Sequence, residues 1–285
     1  MESTLINLID KGAKLLKNNG IRKARSESIL ITQKALKKSA LYVITNPKIR
    51  VPKDKKEKIL RKFVQRSEGK PISKIFGMKE FFSNEFFVNS NVLDPRPDSE
   101  LLVNVVLRKY MKEPISQCKI LDLGVGSGCL IISILLELQH FDVKGLGIDI
   151  SGKAIEIAKK NVKKFNLQNI LKIKNSDWFS NINDSFDIII SNPPYIKTLE
   201  IENLSGEVKF YDPFISLDGG CDGLSAYKKI AVEAKKFLKK DGIIFLEIGF
   251  GQLNSVKKIF RNLGYKTILE EKDLQDINRV VGYTV

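Results

Sequence analysis

Between Leu5 and about Glu68, apolar residues recur at helical spacing: Leu5, Leu8, Ile9, Leu15 and Leu16 form one stripe, and Ile59, Leu60, Phe63 and Val64 another. That period gathers them on single helix faces and predicts a small helical domain with a charged outer surface. Asn46-Pro47 and Val51-Pro52 punctuate it, because proline lacks a backbone donor and pushes the residue before it toward extended geometry. After Gly69-Lys70-Pro71 the texture turns aromatic, through Phe76, Phe81, Phe82, Phe86, Phe87 and Val88. With Ser83-Asn84 as the turn, this predicts a β-hairpin linker.

From about Leu101 onward, strand-like runs alternate with helical patterns. The expected strands are Lys119 to Leu123, Val143 to Ile150, Ile170 to Lys174, Phe186 to Ser191 and Gly242 to Ile248. Such alternation predicts an α/β fold, a mostly parallel sheet with helices on both faces. The expected organisation is a helical substrate-recognition domain over 1–75, a β-hairpin linker over 76–95 and the α/β domain that carries the chemistry over 96–285. There is no internal repeat or low-complexity segment.

Composition narrows the function classes. The 285 residues are 43% hydrophobic and 28% charged, and no apolar run approaches the ~20 residues of a membrane span. The start, Met1-Glu2-Ser3-Thr4, is polar and unlike a secretion signal, so a cytoplasmic location and no membrane partner are expected. Cys118, Cys129 and Cys221 share no metal-ligand spacing and His140 is the sole histidine, which argues against a metal site or a histidine triad. The net charge of +15 permits attraction to nucleic acid or a ribonucleoprotein-associated partner. Lysines are spread along the whole chain, so solvated lysine faces are the simpler explanation and nucleic-acid binding is disfavoured.

Candidate chemistry gathers where the expected strands end. Ile120 to Gly128 reads as a buried strand entering the turn Gly124-Val125-Gly126-Ser127-Gly128, followed by the apolar helix Leu130 to Leu138. Glycines there let backbone approach a ligand closely, although such turns also serve packing. The third glycine falls one place before the dinucleotide-fingerprint position, which Cys129 occupies, so this is not the dehydrogenase pattern. Asp149 ends the second strand, where a carboxylate suits two ribose hydroxyls, and Ser151 is expected to cap the next helix, Lys153 to Lys164. After the third strand, Asp177 offers a carboxylate to an adenine amine and Trp178 a flat face to its ring. Ligands of open α/β sheets lie beyond the carboxyl ends of the strands, so one nucleoside-shaped pocket is expected.

The fourth strand runs directly into Asn192-Pro193-Pro194-Tyr195. Two successive prolines remove two backbone donors and stiffen the corner, which leaves its carbonyls free. An Asn side-chain oxygen beside the Pro193 carbonyl presents two acceptors to a nitrogen carrying two hydrogens, in a carboxamide or an exocyclic base amine. Tyr195 adds a flat face above it.

Together these motifs resemble the class I S-adenosylmethionine-dependent methyltransferases, with their Rossmann-like, mostly parallel seven-stranded sheet. Within that class the chain resembles, nearly end to end, the HemK/PrmC family of protein-(glutamine-N5) methyltransferases. The residues that carry this are Gly69-Lys70-Pro71, the aromatic Gly77 to Val88 hairpin, Asp94 to Glu100, Leu217 to Leu224, Glu247-Ile248-Gly249 and Gln252. The chain departs from the usual pattern at Asp98-Ser99, where Glu-Thr is common, at Val125 for Thr, at Asp212-Pro213 for Glu-Pro, and at Asp276 for Gly.

The resemblance implies S-adenosyl-L-methionine held by Gly124 to Gly128, Asp149, Trp178 and Asn192. It also implies a target glutamine, in the Gly-Gly-Gln motif of class 1 peptide chain release factors, held by Asn192, Pro193, Pro194 and Tyr195. The rival readings are an adenine exocyclic-amine methyltransferase on DNA or RNA, a glutamine methyltransferase of a ribosomal protein, and a nucleoside sensor. Arg96, between two prolines, is either a surface charge or part of a loop closing over the cofactor's entrance, and Gly219 to Gly223 read, apart from the resemblance, as no more than a turn.

Overall fold

A computed structural model describes residues 3–285, so Met1 and Glu2 of the amino-terminal reading lie outside the described residues. The chain divides into two compact units, Met1–Gly77 and Met78–Val285.

In the first unit, a short pair of strands, β1 (Ser3–Thr4) and β2 (Arg50–Val51), accompanies five helices: α1 (Leu5–Asn18), α2 (Ala24–Leu36), α3 (Ala40–Thr45), α4 (Lys53–Ser67) and α5 (Ile72–Phe76). The helical stripes form its core, with Leu5, Leu8, Leu16, Ile31, Ile59 and Phe63 buried. Gly12 lets the helices close: a Cβ there would lie 2.5 Å from the Phe63 ring and 2.6 Å from Ser28 Oγ, which itself donates to the Ile9 carbonyl at 2.7 Å. Val64, expected on the inner stripe, is 46% exposed, because one helical step beyond Phe63 turns it to solvent. The inward position three residues after Phe63 belongs to Arg66, whose Nε donates to Glu27 Oε2 at 2.5 Å.

The second unit opens on the hairpin β3 (Met78–Phe81) and β4 (Asn84–Phe87). Its turn is Phe82-Ser83, both at positive φ (48° and 59°), and not Ser83-Asn84. Positive φ at both central positions is the geometry of a type I′ hairpin turn, and Asn84 supports it by donating from Nδ2 to the Phe82 carbonyl at 2.9 Å.

The alternating part forms α6 (Glu100–Lys112), β5 (Cys118–Leu123), α7 (Cys129–Glu137), β6 (Val143–Asp149), α8 (Gly152–Lys164), β7 (Leu171–Asn175), β8 (Phe186–Ser191), α9 (Gly206–Lys209), α10 (Ser225–Glu233), β9 (Leu238–Glu247), α11 (Leu253–Asn262), β10 (Lys266–Lys272) and β11 (Asn278–Thr284). The seven strands lie in the order β10-β11-β9-β8-β5-β6-β7, parallel from β9 to β7, with β11 antiparallel to both its neighbours. Side chains alternate between two cores. Ile120, Ile188, Ile190 and Phe245 face one, with the hairpin's Phe81 and Phe86; Leu121, Leu123, Ile189 and Leu246 face the other. The outer strands carry exposed charge, Lys172 and Lys174 on β7 and Lys266, Glu270 and Lys272 on β10. Among the described residues no helix is long and apolar enough to cross a membrane, and no group of His, Cys, Asp and Glu is placed to hold a metal.

Candidate active site

The chain runs β5 to β6 to β7 along one side of the sheet and then returns to place β8 on the other side of β5, so the strand order reverses between β5 and β8. A crevice at such a switch point is where open α/β sheets hold ligands. Here it is a cavity of ≈ 310 Å³ beyond the carboxyl ends of these strands.

Gly124 and Gly126 border the cavity after β5, and their φ values of +75° and +52° are ones side-chain-bearing residues rarely adopt. A Cβ at Gly124 would meet nothing within 4 Å, so it would stand in the open space of the cleft. The loop is pinned from below: Val125 N donates to Ile148 O at 2.7 Å, and Asn161 of α8 donates to Ser127 O at 2.8 Å. Asn161 also exchanges hydrogen bonds with the Phe87 backbone, so one buried side chain ties hairpin, helix and loop together. Of the five loop residues expected to hold the cofactor, Val125, Ser127 and Gly128 do not border the cavity. Val125 turns into the core, where its methyl groups fill the space that a Cβ on Gly147 would need, and Gly128 precedes the first turn of α7.

After β6, Asp149 accepts from Gly126 N through Oδ2 and from Ser151 N through Oδ1, each at 2.9 Å. Burial raises its pKa, and those backbone donors counter the effect. The carboxylate therefore stiffens the glycine loop as well as bordering the cavity. Ser151 caps α8 as expected, accepting from Ala154 N at 3.2 Å. After β7, Asp177 and Trp178 border the same cavity. Trp178 has φ +46°, and Ser176 braces it by donating from Oγ to its carbonyl at 2.8 Å.

After β8, Asn192 and Pro194 complete this cavity, while Asn192, Pro193 and Tyr195 border a second one of ≈ 190 Å³. Asn192 thus faces both spaces. Its Nδ2 donates to Ser99 Oγ at 3.0 Å, and Ser99 Oγ donates to Glu247 Oε2 at 2.6 Å. A hydroxyl has one proton. While Glu247 is ionised and takes that proton, Ser99 acts only as an acceptor toward Asn192, so the amide turns its NH₂ to Ser99 and keeps Oδ1 as the acceptor of the site. Glu247 Oε1 faces the Tyr195 hydroxyl at 3.4 Å. Burial pushes the Glu247 carboxyl up to about 7, against hydrogen bonding by Ser99 and the nearby Arg279. Burial, with Glu247 beside it, raises the Tyr195 phenol.

The segment Gly219 to Gly223 is more than a turn. Gly219 N donates to Ile196 O at 2.8 Å, and Gln252 Nε2 bonds the carbonyls of Tyr195 and Gly223 at 2.9 and 3.2 Å. A Cβ on Gly219 would lie 2.8 Å from Tyr195 Cα, so glycine is what lets this segment lie flat against the proline corner. Arg96 is not a free surface charge: it pairs with the buried Asp212 at 2.5 Å, and Asp212 also accepts from Asp94 N at 3.0 Å. Pro213, next to Asp212, borders the main cavity.

Ser99, Glu247, Gln252 and Gly219 were visible in the sequence only as members of motifs carried by resemblance. The cue with physical content was Glu247 inside an otherwise apolar strand, since a buried carboxylate requires partners.

Residues 91–207 match the family described as the methyltransferase small domain, and residues 7–77 the PrmC N-terminal domain. The release factor glutamine methyltransferase of Caulobacter vibrioides is 34% identical, covering 99% of this chain and 96% of its own length. The chain belongs to the HemK/PrmC family. A bifunctional methyltransferase of Rickettsia bellii is 38% identical over 99% of the chain, and the HemK/PrmC chain described here spans 55% of that longer relative. Among solved structures, a methyltransferase from Pyrococcus furiosus superposes with a TM-score of 0.52 at 18% identity, covering 81% of this chain and 97% of its own, a likeness of fold.

Proposed function

We propose that the chain transfers a methyl group from S-adenosylmethionine to the side-chain amide nitrogen of glutamine in the Gly-Gly-Gln motif of class 1 peptide chain release factors, in the cytoplasm. The observation that supports this reading is the Asn192–Ser99–Glu247 chain, which engages the NH₂ of Asn192, a residue that borders both cavities, and leaves its oxygen as an acceptor. The relatives named release factor glutamine methyltransferase support the choice of acceptor.

The residues fit the cofactor. The Gly124–Gly126 turn leaves open the space a side chain would take, Asp149 offers carboxylate lone pairs to a ribose, and Asp177 and Trp178 offer a carboxylate and a ring face to an adenine. When bound, the cofactor supplies a sulfonium-activated methyl carbon, so no protein nucleophile is required.

The chain's own contribution is alignment and polarity. Asn192 Oδ1 and the Pro193 carbonyl accept from the two amide hydrogens of the target and hold its nitrogen in line. An amide lone pair is delocalised, and these acceptors strengthen as positive charge grows on nitrogen, so they favour the transition state over the ground state. Tyr195 stacks on the amide plane, and the displaced proton leaves to water.

The test is mass spectrometry of purified release factor after incubation with chain and cofactor. A gain of one methyl on the glutamine of Gly-Gly-Gln is expected. Methyl transfer to adenine in DNA or RNA, or to a ribosomal-protein glutamine, with none to release factor, overturns the assignment.

A further inference from the structure

The lysines run along the whole chain, but the acidic residues that offset them do not. Residues 1–77 hold 20 lysines and arginines against 6 aspartates and glutamates, whereas residues 78–285 hold 28 against 27. Solvated, balanced faces account for the second unit. They leave a surplus of 14 positive charges on the small helical one, out of +15 for the chain.

The surplus is on the surface and on a rigid frame. Along α1, Lys11, Lys14 and Lys17 are exposed at three-residue intervals, while Leu8, Gly12 and Leu16 of the same helix are buried. Along α4, Lys55, Lys58 and Arg61 repeat the pattern, with Ile59 and Phe63 buried. Two of the unit's few carboxylates, Asp10 and Glu27, are engaged by Arg25 and Arg66. Close packing of Phe63 and Ser28 around Gly12 fixes the two helices that carry the stripes.

The chemistry of the stripes selects the partner. Fifteen of the unit's 20 basic residues are lysine. Lysine is depleted in protein–protein interfaces, whereas interfaces with nucleic acid are strongly cationic and gain their affinity from phosphate neutralisation. We propose that the helical unit is a docking surface for the phosphodiester backbone of nucleic acid, bound without base readout. The inference does not depend on what the second unit methylates.

The test uses the full chain and a fluorescein-labelled RNA duplex, with anisotropy followed through a salt titration and neither cofactor nor methyl acceptor present. Binding is expected at low salt, with affinity falling steeply as salt rises. Lys11→Glu/Lys14→Glu/Lys17→Glu should weaken it by about tenfold or more and flatten the log–log salt slope by about 2 to 3. If that variant loses its helical circular dichroism, Lys55→Glu/Lys58→Glu/Arg61→Glu takes its place. The same reversal at Lys159, Lys160 and Lys163, on α8 of the other unit, should cost little. No binding at low salt, equal loss from the α8 reversal, or competition by poly-glutamate as strong as by unlabelled duplex overturns the proposal.

Discussion

The Ser99 hydroxyl accepts a hydrogen bond from the Asn192 amide at 3.0 Å, although 93 residues separate them in the chain. Because Ser99 spends its own proton on Glu247, the pair fixes which way the Asn192 amide faces. Ser99→Ala removes that constraint, and the amide is then free to present NH₂, a donor, to a donor nitrogen. We expect kcat to fall by about tenfold, with cofactor affinity within about twofold, and Ser99→Thr to restore turnover. Asn192→Ala, which removes the acceptor itself, should cost about 10²-fold or more in kcat. Steady-state methyl transfer, with calorimetric titration of cofactor, checks both. Unchanged turnover in Asn192→Ala would refute the role given to this residue.

Asp149 has two tasks, and a pair of variants separates them. Asp149→Ala loses the loop contacts to Gly126 and Ser151 together with the lone pairs aimed at a ribose, so cofactor affinity should drop by about 10²-fold, a few kcal/mol for hydrogen bonds to a charged group. Asp149→Asn keeps an acceptor oxygen and should fall between the two. Equal dissociation constants for all three proteins would remove Asp149 from the cofactor site.

Gly219→Ala tests the clamp on the proline corner. The added methyl would meet the backbone of Tyr195 and Gly223 at 2.8 to 2.9 Å, and neither can yield as a side-chain tip would. Stability should drop by about 1–3 kcal/mol, the usual range for overpacking. Turnover should fall further than that loss explains, because Tyr195 moves with its backbone. Urea unfolding and kcat, measured on the same preparation, distinguish the two effects.

Glu247 gives stability a pH dependence of known sign. Its pKa is raised in the fold from 4.5 to about 7, so between those values the native state binds more protons than the unfolded chain and stability falls as pH rises. The contribution is complete below the unfolded value and lost by the time pH passes the folded one. Asp122, which burial pushes up to about 8, acts in the same direction over a window that extends higher. Glu247→Gln should therefore flatten part of the decline in Tm across this range. A wild-type Tm that climbs through the same range would contradict the assignment.

Much of this architecture was legible in the chain because the central parallel strands, buried on both faces, read as apolar runs while the edge strand alternates, and the runs from Lys119, Val143, Ile170 and Phe186 fell within a residue or so of the observed strands. The hairpin turn slipped by one position, since Phe82 gives no local sign that it adopts positive φ. Gly124, Gly126, Asp149, Asp177, Trp178, Asn192 and Pro194 meet at one cavity, as expected of residues at adjacent strand ends. What sequence could not display were pairings across long separations, such as Ser99 with Glu247 and Arg96 with Asp212, whose partners become neighbours only through sheet order. The charge asymmetry lies in the sequence too, masked there because lysines run through both units while acidic residues concentrate in the second.

β10 and β7 form the two rims of the seven-stranded sheet. A parallel sheet closes late in folding, because its neighbouring strands are far apart along the chain. During that time and in the finished sheet, the outer sides of β7 and β10 present open rows of amide and carbonyl groups to any passing copy. Lysines at 172, 174, 266 and 272, with Glu270 among them, make strand-to-strand docking between two copies electrostatically costly at both rims. Exchanging Lys172 and Lys174 for threonine would leave the finished fold nearly unaltered, yet should lower the yield of refolding at high protein concentration.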